Sequence, residues 1–307
     1  MSYHIVHVLR HGARLGADRG CLTCSAPDMP ERRAPIDDIL AVVIAARGVS
    51  FSSDCISRLL QAKSVILHCD EKYRPAGKTM PLSAVVHGES FTRQISCEPQ
   101  FCNDVWQRIV RAKVRNQAVL LDTIKAEHDL WKMLDLPEPD EGNAARHYWK
   151  RYFRMYGRNR PKIRERRDAE HPVNQLLNYS YAVLSAILHR SLVIHGLNPS
   201  LGVHHRYRFK SDPLVYDFFE PLRPVCDFLL LRYHLLNPRR DITDWSKQVA
   251  KELVEFRLKV EGGEKSLKIV NAIDRYAASA ARAFETGQAG LVCPPLLPEL
   301  KFEQKQG

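Results

Sequence analysis

VWQRIVRAKVRNQA, residues 105–118, is where the apolar period of the chain changes from two to three and four. Trp106, Ile109, Val110 and Val114 fall on one helical face, with Arg108, Arg111 and Arg115 around it. A long amphipathic helix is therefore expected from Pro99 onward. Upstream the pattern is that of short strands and downstream that of helices, so the expected fold class is α+β: a small β-rich N-terminal domain followed by a larger all-helical domain.

Working toward the N-terminus, SYHIVHVLR (2–10) alternates as a strand does, and the Gly and Asp residues between Gly12 and Gly20 supply hairpin turn chemistry. Asp37–Ala46 reads as a buried strand broken at Gly48. Ser52–Lys63 reads as a short helix capped by Ser, with Ile56, Leu59 and Leu60 as its apolar face, and Ser64–Cys69 returns to strand. Pro30–Pro35 reads as turn material. Arg74–Leu82, with Pro75, Gly77 and Pro81, reads as the loop closing the first domain, which puts the domain boundary at residues 83–95.

Toward the C-terminus the helical pattern runs through Leu120, Leu121 and Ile124, then breaks over Leu136–Glu141. EGNAARHYWKRYF (141–153) is helix-competent despite Gly142. RNRPKIRERRD (158–168) carries six Arg or Lys among eleven residues and is either a solvated loop or a phosphate-contacting one. His171–His195 is the clearest helix, with Pro172 at its start, a stripe of Leu177, Tyr181, Leu184, Leu188 and Leu192, and Gly196 at its end. Asn174 and Asn178, one turn apart beside that stripe, are expected to tie down neighbouring backbone or site side chains. Val225–Leu236, Ser246–Leu258 and Leu267–Phe284 read as further helices, and the residues after Thr286 as a tail.

The 307 residues are enough for two domains, and 46 Lys and Arg against 35 Asp and Glu leave a net +11 that favours a polyanionic partner such as nucleic acid. Eight cysteines without a secretory signal suggest reduced thiols and a cytoplasmic protein, and Cys21–Cys24 lacks the second ligand pair that zinc requires. The longest uncharged apolar run, Ile39–Ala46, is far below the roughly 20 residues of a membrane span, so no membrane partner is expected.

GVHHRYRFKSDPLVYDFFEPLRP (202–224) gathers two histidines, three acids and three arginines in one segment. Asp217 and Glu220 are three apart, so on a shared helical turn both carboxylates face one way. Carboxylates with one imidazole suit a hard ion such as Mg²⁺ or Mn²⁺. The same stretch also reads as a solvated loop leading into an amphipathic helix.

In GVSFSSDCISRLLQAKSVILHCD (48–70), RPAGKTMPL (74–82), VWQRIVRAKVRNQA, EGNAARHYW (141–149), HPVNQLLNYSYAVL (171–184), LGVHH (201–205) and LVYDFFEPLRP (214–224), taken in this order over most of its length, the chain resembles the CRISPR-associated integrases of spacer acquisition, the Cas-one family, in its type II branch. That resemblance implies a β-rich dimerisation domain over residues 1–88 and an α-helical catalytic domain over 95–300. Carried over by motif, it implies Glu141, His205 and Glu220 as metal ligands and catalytic residues, with Mg²⁺ or Mn²⁺ as cofactor. Asp217 is then an acidic neighbour that either binds metal or water itself or orients a ligand, and His204, Asn174 and Asn178 are candidates for orienting the ligands. Arg146, Lys150, Arg206, Arg208, Lys210 and Arg223, near the site in sequence, are candidate DNA contacts. Gly202 and Glu220 select His205 over His204, since the family ligand lies three residues after a glycine and fifteen before the acid. Pro221, where many relatives have another residue, would be at ease only in the first turn of a helix.

The implied activity is insertion of short DNA fragments into a CRISPR array by 3′-hydroxyl attack on phosphodiester bonds. Double-stranded DNA, a homodimer, a small Cas-two protein and the type II effector nuclease are the implied partners. The rivals are a non-catalytic nucleic-acid-binding structural protein and a metal-dependent hydrolase of small phosphoesters.

Overall fold

Arg19 and Gly20 both have positive φ, 46° and 76°, the handedness of a tight hairpin turn, and they join β2 (Arg14–Asp18) to β3 (Cys21–Ala26). The structure, a computed structural model, describes residues 4–27, 29–70, 74–82, 88–166, 168–205, 212–263 and 265–299. β4 (Met29–Pro35) and β6 (Ser50–Phe51) complete the sheet in the order β4-β3-β2-β6. A second sheet runs β1-β5-β7-β8, from β1 (His4–Val8), β5 (Ile39–Ile44), β7 (Val65–Cys69) and β8 (Pro75–Thr79), with β8 antiparallel and the other three parallel.

Two stretches expected to be irregular are strands. Pro30–Pro35 lies in β4, and Arg74–Leu82 contains β8. Each is an outer strand of its sheet. There a proline's missing N–H faces away from the ladder, so proline content demotes a strand to an edge without excluding it. Residues 83–87, inside the expected domain boundary, lie outside the described residues.

β5 and β7 are buried on both faces, and their side chains alternate between two cores. Val42, Ile44 and Ile66 face a small core with Leu15, Leu22 and Leu59 of α1 (Ser53–Gln61), whose N-cap Ser52 accepts from Cys55 N. Ala41, Val43, Val65 and Leu67 face the large helical core. α2 (Gly88–Ile95), α3 (Pro99–Thr123), α4 (Leu130–Leu134), α5 (Glu141–Tyr152) and α6 (Pro172–Ile194) begin that helical domain. α6 packs on β5, β7 and β8, so the N-terminal sheet is one wall of the helical core. The fold is α+β, a β-rich N-terminal region followed by a helical domain.

α7 (Pro213–Phe219), a 3₁₀ turn (Glu220–Leu222) and α8 (Arg223–Leu236) follow one another directly, and α9 (Trp245–Glu255) and α10 (Ile269–Thr286) complete the helices. The helix expected to reach Leu258 stops at Glu255. Arg257–Val260 is β9, where Leu258 and Val260 are buried and Arg257 and Lys259 exposed, a period of two. β9 pairs with β10 (Leu267–Lys268) and β11 (Pro295–Leu296). Of the expected tail after Thr286, the described residues 287–299 are packed, because Val292 and Leu297 are fully buried and β11 has a partner strand. Among the described residues no helix is long and apolar enough to cross a membrane.

Candidate functional site

Glu141 and Glu220, 79 positions apart by their numbers, converge on one ammonium group. Lys113 Nζ lies 2.5 Å from Glu141 Oε1 and 2.5 Å from Glu220 Oε2. The two carboxylate oxygens can thus be no farther apart than twice that distance. Glu141 reaches this point because it opens α5, where Asp140 caps the helix by accepting from Asn143 N at 2.9 Å. Lys113 extends from the middle of α3, which packs on α5, α7 and the 3₁₀ turn.

Glu220 sits in that 3₁₀ turn, and Pro221 occupies its first turn, the place where a missing N–H has no consequence. Asn116, fully buried, donates to Pro221 O at 2.9 Å and Pro295 O at 3.0 Å and accepts from Leu297 N at 2.8 Å, which fastens the turn to the C-terminal segment. Arg223 donates from Nε to Glu220 Oε1 at 2.9 Å. Burial would raise the Glu220 carboxyl, but Arg223 and Lys113 outweigh it and hold the group down at about 2. Among the DNA-contact candidates Arg223 is therefore engaged with a site acid. Arg146 and Lys150 are exposed on α5, whereas Arg206, Arg208 and Lys210 lie outside the described residues.

His204 and His205 part company at the end of the 201–205 loop. The His204 ring stacks on Trp106 with centroids 4.0 Å apart and planes at 3°. The His205 ring is nearly perpendicular to it, and its Nδ1 lies 2.5 Å from Oδ1 of the fully buried Asp217. An ionised carboxylate only accepts, so Nδ1 is the donor to it, and in the neutral ring this arrangement leaves the lone pair on Nε2. Asp217 also accepts from the backbone N–H of Val203, His204 and His205 at 2.8, 3.0 and 3.2 Å. That concentration of donors around one carboxylate shapes the loop.

Asn174 and Asn178 do not touch the acids. They bind Arg164 at 3.3 and 2.6 Å and the backbone carbonyls of Ile163 and Glu165 at 2.9 and 3.3 Å. The Arg164 guanidinium lies 5.1 Å from the Tyr181 ring centroid, and that of Arg223 is also 5.1 Å from it, so the pair reach Glu220 only through this stack. Below it Asp227 accepts from Tyr148 at 2.8 Å and Tyr181 at 2.5 Å, and burial pushes its carboxyl up to about 6.

Among the described residues, no group of three or more His, Cys, Asp or Glu side chains is arranged to hold a metal ion. What the geometry provides is a pair of carboxylates already sharing one cation, a donor chemistry that fits a hard divalent ion, and, separately on the 201–205 loop, an imidazole oriented by Asp217. Sequence reasoning passed over Lys113 and Asn116. The signal lay in the opening motif, for Lys113 is four residues after Ile109 and seven after Trp106, on the apolar face where a solvated lysine does not belong.

A family model described as CRISPR associated protein Cas1 matches residues 6–137 and 140–271. The chain is 26% identical to the CRISPR-associated endonuclease Cas1 of Neisseria meningitidis over 304 residues, 96% of this chain and 97% of that one. It is also 26% identical to the CRISPR-associated endonuclease Cas1 2 of Saccharolobus solfataricus, over 94% and 97% of the two chains. Among solved structures, a casposase bound to integration product superposes with a TM-score of 0.77 at 16% identity, covering 100% of this chain and 96% of that one. A Cas1 protein from Thermotoga maritima does so with a TM-score of 0.75 at 15% identity, over 91% and 96%. The family model spans most of the sequence, and the chain belongs to the Cas1 family of CRISPR associated proteins.

Proposed function

We propose that this protein is a divalent-metal-dependent DNA integrase and endonuclease that inserts short DNA fragments into a CRISPR array, and that it belongs to the type II branch on the motifs quoted above. The observation that carries this reading is the convergence of Glu141 and Glu220 on one cation at 2.5 Å each. The relatives support it: endonucleases by sequence, a casposase with integration product by fold, and a Cas6-RT-Cas1–Cas2 complex with a TM-score of 0.72.

In this reading Glu141, Glu220 and the free Nε2 of His205 hold Mg²⁺ or Mn²⁺, which when bound supplies Lewis acidity at the scissile phosphate. Asp217 fixes the imidazole tautomer and holds the loop in place. Trp106 fixes His204 beside it. Exposed Arg146 and Lys150 contact the DNA backbone. The 3′ hydroxyl of the incoming fragment attacks the phosphorus in line, the new phosphodiester forms, and the old 3′ oxygen departs with a proton. In hydrolysis water takes the place of the hydroxyl. Insertion at both ends of a repeat needs two sites at a fixed span, which one chain with one site meets as a homodimer, two copies bridged by a small Cas2 protein.

The test is incubation with Mn²⁺, a supercoiled plasmid carrying a repeat and a short duplex with free 3′ hydroxyls, with and without Cas2. Joined, nicked product that disappears with chelator is the expected result. Tight plasmid binding with no joined product under any divalent ion would favour the structural DNA-binding rival.

A further inference from the structure

Lys113 is the least expected group in the site. Its side chain is 6% exposed, in the interior of a 25-residue helix, and both of its partners are site acids. A buried ammonium is tolerated only when paired, and two carboxylates this close, one of them 8% exposed, repel unless a cation lies between them. Each requirement answers the other. An ammonium and a divalent ion cannot both lie within ligand distance of the same two oxygens, since like charges there repel strongly in a partly dry site. Trp106, seven residues earlier on the same helix face, holds His204, so α3 carries both the cation and the platform of the histidine loop.

We propose that Lys113 is a tethered counter-cation of this site: it neutralises and spaces Glu141 and Glu220 while no divalent ion is bound, and the ion enters by displacing it. Lys113 acts through the two acids and is a positioning residue. The inference rests on the metal reading given above. It explains how two acids are held close together before the ion arrives, and it makes ion affinity weaker than that of the bare carboxylates.

The experiment titrates Mn²⁺ into chelator-treated wild type and Lys113→Met, by calorimetry and by thermal midpoint. Lys113→Met should melt lower than wild type without metal, bind Mn²⁺ at least about tenfold more tightly, and gain more in midpoint from it. Wild type that binds Mn²⁺ with a variant that binds it equally or more weakly overturns the Lys113 proposal alone. No response in either protein overturns the metal reading and this proposal together, and a response in the variant only supports both. If Lys113→Met does not fold, Lys113→Met/Glu220→Gln is expected to recover a cooperative transition, because the uncompensated charge is gone. Failure of that double variant as well would make Lys113 a packing residue and end the proposal.

Discussion

His205 Nδ1 lies 2.5 Å from Asp217 Oδ1, and the same carboxylate gathers three consecutive backbone N–H groups of the His205 loop. One buried acid therefore sets both the ring and the chain that carries it. Substituting His205→Ala should nearly eliminate joining at every Mn²⁺ concentration, whereas His204→Ala, which removes a ring stacked on Trp106, should lower it modestly. Asp217→Asn should weaken Mn²⁺ binding on the order of 10- to 100-fold. Calorimetry with joining assays checks all three, and a larger loss at His204 would reassign the ligand.

The two acids should separate by stability although both are needed for joining. Glu220 is buried between Lys113 and Arg223, while the Glu141 side chain is 35% exposed. Glu220→Gln leaves two cations short of a partner and should cost on the order of 3 kcal/mol, against under about 1 kcal/mol for Glu141→Gln. Because Glu220 is held at about 2, its contribution is present above the ordinary carboxylate range and lost as pH falls from about 4.5 toward about 2. Denaturant melts at pH 7 and pH 3 measure this: the gap between wild type and Glu220→Gln should narrow markedly at the lower pH.

Most of the architecture was legible because periodicity reports burial. The stripe through Leu177, Leu184 and Leu188 is core, and the change of period at residue 105 marks the helical domain. The proline-bearing edge strands β4 and β8 were not legible, since they have partners on one side only and tolerate proline, which makes them resemble loops. In the site, the family pattern named candidate ligands, and it did not name Lys113 or Asn116, whose roles are geometric. Asn116 joins a turn 105 positions away to a strand 179 away, and no local pattern encodes such a contact.

Gly202 is a position of close approach. A methyl carbon there would meet Asp217 Oδ2 and Pro213 Cβ at 2.9 Å each, and the His205 carbonyl oxygen more closely still. Gly202→Ala should cost about 1–3 kcal/mol and displace the His205 loop, with joining lost in proportion beyond the stability change. Gly77→Ala, where nothing lies within 4 Å, serves as the control and should stay within about 0.5 kcal/mol.

The junction between the N-terminal sheet and α6 should be acid-sensitive. His7 bonds Tyr179, and His189 bonds Lys78, which donates to Asp212 at 2.8 Å. Burial lowers His7 to about 4; burial and then Lys78 lower His189 to about 4, while Asp212 opposes them. Both histidines must charge on unfolding in mild acid, so stability is full above about 6.5 and falls as pH drops toward about 4, by on the order of 3 kcal/mol for each. His189→Gln should flatten the thermal midpoint between pH 6.5 and 4.5, and an unchanged slope would remove His189 from the account.

The cationic segment after α5 divides into two kinds of arginine. Arg158, Arg160, Lys162 and Arg166 are exposed, whereas Arg164 turns inward to Asn174 and Asn178 and lies 5.5 Å from the Trp149 ring centroid. Like charges along one loop repel unless a polyanion approaches, so the exposed set is expected to contact DNA phosphates without reading sequence. Changing Arg158, Arg160 and Lys162 to Gln together should lower affinity equally for unrelated duplexes. It should also flatten the slope of log affinity against log salt by about 0.9 for each phosphate that is no longer neutralised. Arg164→Ala should behave in the opposite way, with the salt slope kept and the thermal midpoint lowered, because it removes two side-chain hydrogen bonds and two ring contacts and no solvated charge. A salt slope unchanged by the triple variant would return the exposed residues to ordinary surface. A slope changed as much by Arg164→Ala would mean that the loop binds DNA only in the conformation Asn174 and Asn178 impose.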